Sequence, residues 1–199
     1  MIKVKFNSGD HTYFVGKQKY GSVTEILGNL GCYDFSKIPK SKIDRACEKG
    51  TNVHKFLEYE DQGVVERYNY KDAGAEPYVI AWRMFKYRYR ALPKVIEKPM
   101  ASKVWQFAGT PDRVFLIRGE YVLVDLKTGQ DLPYHELQTA GYTILAEENI
   151  KIKIKKRLTV QLKPYKFKVF EHKHSIDRSI FCGCVQVFNW KVNRKVIKL

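Results

Sequence analysis

The sequence predicts a single-domain α/β (α+β) fold with a central mixed β-sheet flanked by helices. Three observations predict it. The chain has 199 residues and 44% hydrophobic content, enough for one full core and too apolar for a disordered chain. Stretches with period-two alternation, the mark of half-buried strands, interleave with stretches whose apolar residues recur at three and four. No internal repeat or low-complexity tract divides the chain. The expected parts are an N-terminal hairpin and short helix over 1–38, a core over 39–149, and closing strands with a C-terminal helix over 150–199.

Taken in order, residues 2–6 and 11–15 alternate about Asn7-Ser8-Gly9-Asp10, which predicts a small hairpin at an edge. Ser22 with Glu25 three residues on has the form of a capping box and opens a helix to about Leu30, ended by Gly28 and Gly31. A longer helix follows Pro39. Its inward stripe reads Ile43, Ala46, Cys47, Gly50, Val53, His54 and Leu57. A histidine on such a stripe is more often a satisfied core residue than a ligand. Residues 61–76, punctuated by Gly63 and Gly74, read as a loop. Pro77 to Leu92 reads as a basic aromatic helix, with Tyr78, Trp82, Phe85 and Tyr89 on one side and Arg83, Lys86, Arg88 and Arg90 between them. Pro93 ends it, and Lys94–Met100 is expected to be a strand carrying Glu97. Another strand begins over Lys103–Phe107.

The most informative stretch runs from Phe107 to Tyr142. Asp112 opens an alternating run, Arg118-Gly119-Glu120 turns it, and Tyr121 to Lys127 returns it, so a β-hairpin is expected. Asp125 and Lys127 are two apart and share a face of the second strand. Two carboxylates can share a divalent metal, and a lysine beside them can hold or deprotonate a water; these are the minimum parts for metal-assisted phosphodiester hydrolysis. Asp131 is a candidate cap for a helix to about Asn149, on which Gln138 and Tyr142 share a face. The dense charge of 150–157 reads as a basic connector or strand start. Leu158–Leu162 and Phe167–His172 read as strands about Pro164. Ile176 to about Val192 reads as a helix with Ile180, Cys184, Val187 and Trp190 or Lys191 to one side.

Lys+Arg number 36 against 21 Asp+Glu, a net charge of +15. That surplus points to a polyanionic partner, nucleic acid ahead of an anionic membrane surface. No apolar run reaches the roughly 18 residues of a membrane span, and the N-terminus lacks the core of a signal peptide. A soluble protein of a reducing, cytoplasmic compartment is therefore expected. The cysteines, Cys32, Cys47, Cys182 and Cys184, then read as free thiols; Cys182-Gly183-Cys184 is too tight for a CxxC metal knuckle.

Each motif alone is weak, but their order is specific: Gly50-xxx-His54 on a helix, Glu97 on a strand, Gly109-Thr110-Pro111-Asp112, Asp125-Leu126-Lys127 thirteen residues after Asp112, then Gln138-xxx-Tyr142 on the next helix. From His54 to Tyr142 this set resembles the PD-(D/E)XK nuclease superfamily, and within it the RecB-like, phage-type exonuclease branch. That branch includes lambda-type exonucleases, CRISPR-associated adaptation nucleases and the mitochondrial genome-maintenance exonuclease. The stretch from Tyr13 through Ser22 to Leu27 also looks like what precedes the core in phage members.

The resemblance implies a restriction-endonuclease-like core and a divalent-metal-dependent DNA exonuclease, using Mg²⁺ or Mn²⁺ on single-stranded or open duplex ends. It implies metal ligation by His54, Asp112, Asp125 and the backbone carbonyl of Leu126. Lys127 would orient or activate the attacking water, its pKa lowered by desolvation and metal. Gln138 and Tyr142 would position Lys127, the water or the DNA, and Glu97 would hold a second metal or cap a basic neighbour. Arg83, Lys86 and Arg90, with Arg113, Lys155 and Lys156, would grip the backbone. The cysteine spacing departs from the iron–sulfur pattern of some members and argues against a cluster. No GxxxxGK[ST] loop is present, so an open end or a recombination or replication partner protein would have to present the substrate. The implied setting is a bacterial or phage-infected host cytoplasm. A structure-specific endonuclease of the same fold and a non-cleaving nucleic-acid-binding protein are the alternatives.

Overall fold

The computed structural model describes residues 2–64 and 74–199. Most of the loop expected over 61–76 lies outside the described residues. The elements run β1 (Lys5–Asn7), β2 (Thr12–Val15), β3 (Gln18–Ser22), α1 (Val23–Asn29), α2 (Lys40–Gln62), α3 (Glu76–Tyr89), β4 (Leu92–Ile96), β5 (Met100–Ser102), β6 (Phe107–Gly109), β7 (Arg113–Ile117), β8 (Glu120–Lys127), α4 (Tyr134–Ile150), β9 (Ile154–Lys163), β10 (Lys166–Glu171) and α5 (Asp177–Asn193). They form one mixed α/β domain, as expected, but with two five-stranded sheets rather than one: β1-β2-β3-β6-β5 and β10-β9-β8-β7-β4.

The second sheet carries the core. β8 pairs antiparallel with β7 and parallel with β9, and α4 makes the crossover that a parallel pair requires. On β8, Val122, Val124 and Leu126 pack with Val53 and Leu57 of α2 and Trp82 and Phe85 of α3. Leu123 points the other way, into a cluster with Ile144 and Leu145 of α4 and Phe181 and Phe188 of α5. Period two therefore sends Asp125 and Lys127 toward α4. The β7–β8 turn needs two residues at positive φ, and Arg118 (50°) and Gly119 (82°) supply them. Pro93 lies in β4, an edge strand, where its missing N–H costs no ladder bond, and the pairing shifts register beside it.

The capping box at Ser22 and Glu25 is present, a feature of about 1 kcal/mol. Other expectations change. The first hairpin lies at the edge of its sheet, as expected, but it continues through β3, which the sequence reading lacked, and β3 pairs parallel with β6. The expected Lys94–Met100 strand breaks at Glu97, whose φ of 41° turns the chain out of β4 and on to β5 in the other sheet. Residues 103–106 form a turn rather than a strand start. Asp131 does not cap α4; its carboxylate bonds His135 Nδ1 instead. On α5 the inward residues are Phe181, Val185 and Phe188, and Ile180, Val187 and Trp190 are exposed. The first half of the stripe on α2 is also uncovered, with Ala46 and Cys47 exposed.

Candidate metal centre

Three elements converge at the C-terminal end of β8. The register Arg113↔Val124 puts Asp112 beside Asp125 at the open end of the β7–β8 ladder. Both carboxylates are buried, at 8% and 1% exposure. Asp112 Oδ2 accepts the backbone N–H of Leu126 at 2.6 Å, which fixes the carboxylate. Its Oδ1 lies 3.7 Å from His54 Nδ1. His54 arrives from α2, and its Nε2 lies 3.0 Å from the carbonyl oxygen of Leu126. A carbonyl can only accept, so Nε2 carries the hydrogen and the neutral ring presents Nδ1 as a donor of electrons.

Glu97 completes the group. Its Oε1 lies 3.7 Å from His54 Nδ1 and accepts from Arg113 Nη1 at 2.9 Å. A positive φ at glutamate costs on the order of 1 kcal/mol or more. The neighbouring bonds hold it: the Glu97 N–H donates to the Asp112 carbonyl at 3.0 Å, and Arg113 Nη1 reaches that same carbonyl at 2.6 Å. Ligand atoms of His54, Glu97 and Asp112 all lie within 4.8 Å of one another. One nitrogen and two carboxylate oxygens at that spacing fit a hard or borderline divalent cation, with Mn²⁺ favoured over Mg²⁺ by the imidazole.

This set differs from the expected one. Glu97 takes the place of Asp125, and the Leu126 carbonyl receives the His54 ring. Asp125 is paired instead with Lys127, whose Nζ is 2.6 Å from Oδ2. Asp125 Oδ1 has no hydrogen-bond partner among the described residues, so the buried carboxylate keeps acceptor capacity there for a cation or water.

The electrostatics follow from burial and crowding. Burial lifts the pKa of Asp112; His54 opposes this and Glu97 adds to it. Burial lifts Asp125 as well, against the attraction of Lys127. Burial pulls His54 down, but Asp112 and Glu97 outweigh it and the net shift is upward. Lys127 behaves alike: burial lowers it, and Asp125 and Asp112 more than compensate. Without a cation beside it, Lys127 is thus held as an ammonium. Tyr142 is pushed well above the usual phenol range by burial and then by Asp125 and Asp112, so its hydroxyl keeps its proton. Gln138 Nε2 donates to that hydroxyl at 3.2 Å, as their shared face on α4 predicts, and Gln138 Oε1 is buried without a partner among the described residues.

A cavity of ≈ 580 Å³ opens onto His54, Glu97, Asp112 and Tyr142. Tyr13 and Thr110 form part of its wall, joined by a hydroxyl contact of 3.0 Å. The sequence reading gave neither residue a role. It also missed Asp61, which accepts from Arg113 Nε at 2.7 Å, Lys86 Nζ at 2.7 Å and Trp82 Nε1 at 3.0 Å. Its spacing of seven from His54, two helical turns, was the available clue.

The expected backbone-gripping residues divide. Arg113 is fully buried and committed to Asp61 and Glu97, so it offers nothing to a phosphate. Lys86 is held by Asp61, and Arg83 makes two bonds to Glu60. Arg90, Lys155 and Lys156 are exposed. Lys155 and Lys156 sit at the start of β9, where Lys156 pairs with Val122, five residues from the Lys127↔Gln161 pair. They are therefore about 17 Å along the strand from the Lys127 end.

No family model and no curated protein matches the sequence. Among solved structures, SSO0001 is similar at 15% identity over 70% of each chain, with a TM-score of 0.38. A likeness that low carries no argument about activity. Among the described residues, no helix is long and apolar enough to cross a membrane.

Proposed function

We propose that this chain is a divalent-metal-dependent DNA exonuclease that hydrolyses phosphodiester bonds at single-stranded or open ends. The observation that supports it most is the meeting of His54, Glu97 and Asp112 within 4.8 Å, with the Asp125–Lys127 pair alongside on β8. The fold spends stability to bring these carboxylates together, since burial and mutual repulsion raise their pKa values.

His54, Glu97 and Asp112 would hold Mg²⁺ or Mn²⁺, and Asp125 Oδ1, the oxygen not facing Lys127, is open beside them. When bound, the cation supplies Lewis-acid polarisation of the phosphodiester. Arg113 and the Leu126 N–H keep Glu97 and Asp112 aimed at it. Lys127, held as an ammonium by Asp125, orients the attacking water and offsets charge that develops on the phosphate. Tyr142 retains a proton to donate to a phosphate oxygen, and Gln138 fixes its hydroxyl.

The test uses end-labelled linear single-stranded DNA, its duplex and a covalently closed circle, each with Mg²⁺, Mn²⁺ or EDTA. Cleavage of linear substrates only, abolished by EDTA, is the expected result. Cleavage of the circle would convert the reading to an endonuclease, and binding without product from any substrate would overturn it.

A further inference from the structure

A second cavity, of ≈ 390 Å³, lies on the other flank of α4, between the start of β9, the end of β10 and the first turn of α5. None of the residues lining it lines the cavity at the metal centre, although Tyr142 and Thr143 are neighbours on α4. Six lysines and arginines face two carboxylates there. Glu147 is already taken, by Arg178 at 2.5 Å and by the Ile154 N–H at 3.1 Å. Arg157 is committed to Asp177. Lys153 and Lys155 are exposed and make no ion pair among the described residues. Two further features favour an anion. Thr143 lines the cavity with its hydroxyl buried and, among the described residues, unpartnered. The 17-residue helix α5 begins at this cavity, beside Ser175, without a side-chain cap, and the Asp177 carboxylate in its first turn is taken up by Arg157, so the first N–H groups of the helix have no cap acceptor.

We propose that this cavity binds phosphate groups of a nucleic-acid strand, at a site separate from the metal centre. The anion site stands on its own geometry; its assignment to a substrate strand rests on the nuclease reading. Lys155 lies four residues before Thr159, the β9 partner of Asp125, and so about 13 Å from it along the strand. At about 3.4 Å of rise per nucleotide of a stacked strand, a strand touching both places spans about four nucleotides.

The test measures anisotropy of a labelled single-stranded 12-mer on the full chain in EDTA, over a salt series. Lys153→Gln with Lys155→Gln should weaken binding about tenfold and lower the salt slope by about 1.4, since each phosphate contact to a single strand contributes about 0.7. The arginine pair at the same positions should restore both. Lys163→Gln with Lys166→Gln removes equal charge at the far turn of the same hairpin and should leave affinity within about twofold. Unchanged affinity in the first pair, or equal loss in the second, overturns the site. Displacement of the 12-mer by a nucleoside 5′-monophosphate at equal phosphate concentration overturns the strand assignment in favour of a free nucleotide. If the protein cuts no DNA yet the binding losses appear, the phosphate site survives and the nuclease reading falls. If it cuts and the losses are missing, only the phosphate site falls.

Discussion

Lys127 and Asp125 face each other 2.6 Å apart under α4, and the chemistry proposed depends on both. Lys127→Ala should lower kcat by about 10²- to 10⁴-fold with the circular-dichroism spectrum unchanged; a variant at wild-type rate would remove Lys127 from the mechanism. The carboxylates predict a pH response. Folded-state pKa values of Asp112 and Asp125 lie above their ordinary 3.8, chiefly through burial. A raised folded pKa gives stability that is full below the unfolded pKa and is lost as pH rises through the folded one. The metal-free protein is therefore penalised at neutral pH by these two groups, and the cation proposed to bind there would relieve the penalty. Mn²⁺ should raise Tm at pH 7, and the gain should vanish on acidification at a pH above that of an ordinary carboxylate. A gain that persists unchanged down to pH 4, or its survival in Asp112→Asn, would count against the ligand set.

Among elements, α2 and α4 carry the site, and each has a residue whose loss is measurable. Asp61 near the end of α2 is buried and ties it to α3 and β7 through Trp82, Lys86 and Arg113. Asp61→Ala leaves the Arg113 charge buried and should cost about 3–5 kcal/mol in denaturant unfolding. Gly141 lets α4 approach α5; a Cβ there would meet Phe181 Cζ at 2.6 Å. Gly141→Ala should destabilise by about 1–3 kcal/mol, at about 2–4 °C of Tm per kcal/mol, despite alanine's better helix propensity. The β7–β8 hairpin, α4 and the capping box were legible because local pattern and turn chemistry alone specify them. The pairing of β3 with β6 was not, since Gln18–Ser22 lacks alternation and its partner is far along the chain. The exposed side of α5 misled because Ile180, Val187 and Trp190 are as apolar as the residues that face inward. At the candidate metal centre, the two carboxylates Asp112 and Asp125 and the shared face of Asp125 and Lys127 were readable from the alternating strands, whereas His54 reads from spacing as a core residue and joined the set only through the resemblance. The closeness of Glu97 was not readable, because it depends on a left-handed backbone turn and on the Arg113–Asp61 bridge.

At the scale of the whole molecule, the charge of +15 predicts that DNA binding falls steeply with salt. A log–log slope near zero between 50 and 200 mM salt would be incompatible with a phosphate-gripping surface. The structure also sets an order of events during synthesis. Gly21 finds its β6 partner only at Phe107, and Tyr13 meets Thr110 only where the two share the wall of the cavity at the candidate centre. At a ribosomal pace of about 5–20 residues per second, the first three strands wait about 4–17 s for β6 to be made. At the end of that interval the nascent chain has His54 and Glu97 but neither Asp112 nor Asp125, so no partial product can assemble the full group of acids. Translation itself thus acts as a timer that keeps the centre incomplete until the hairpin carrying both aspartates has emerged.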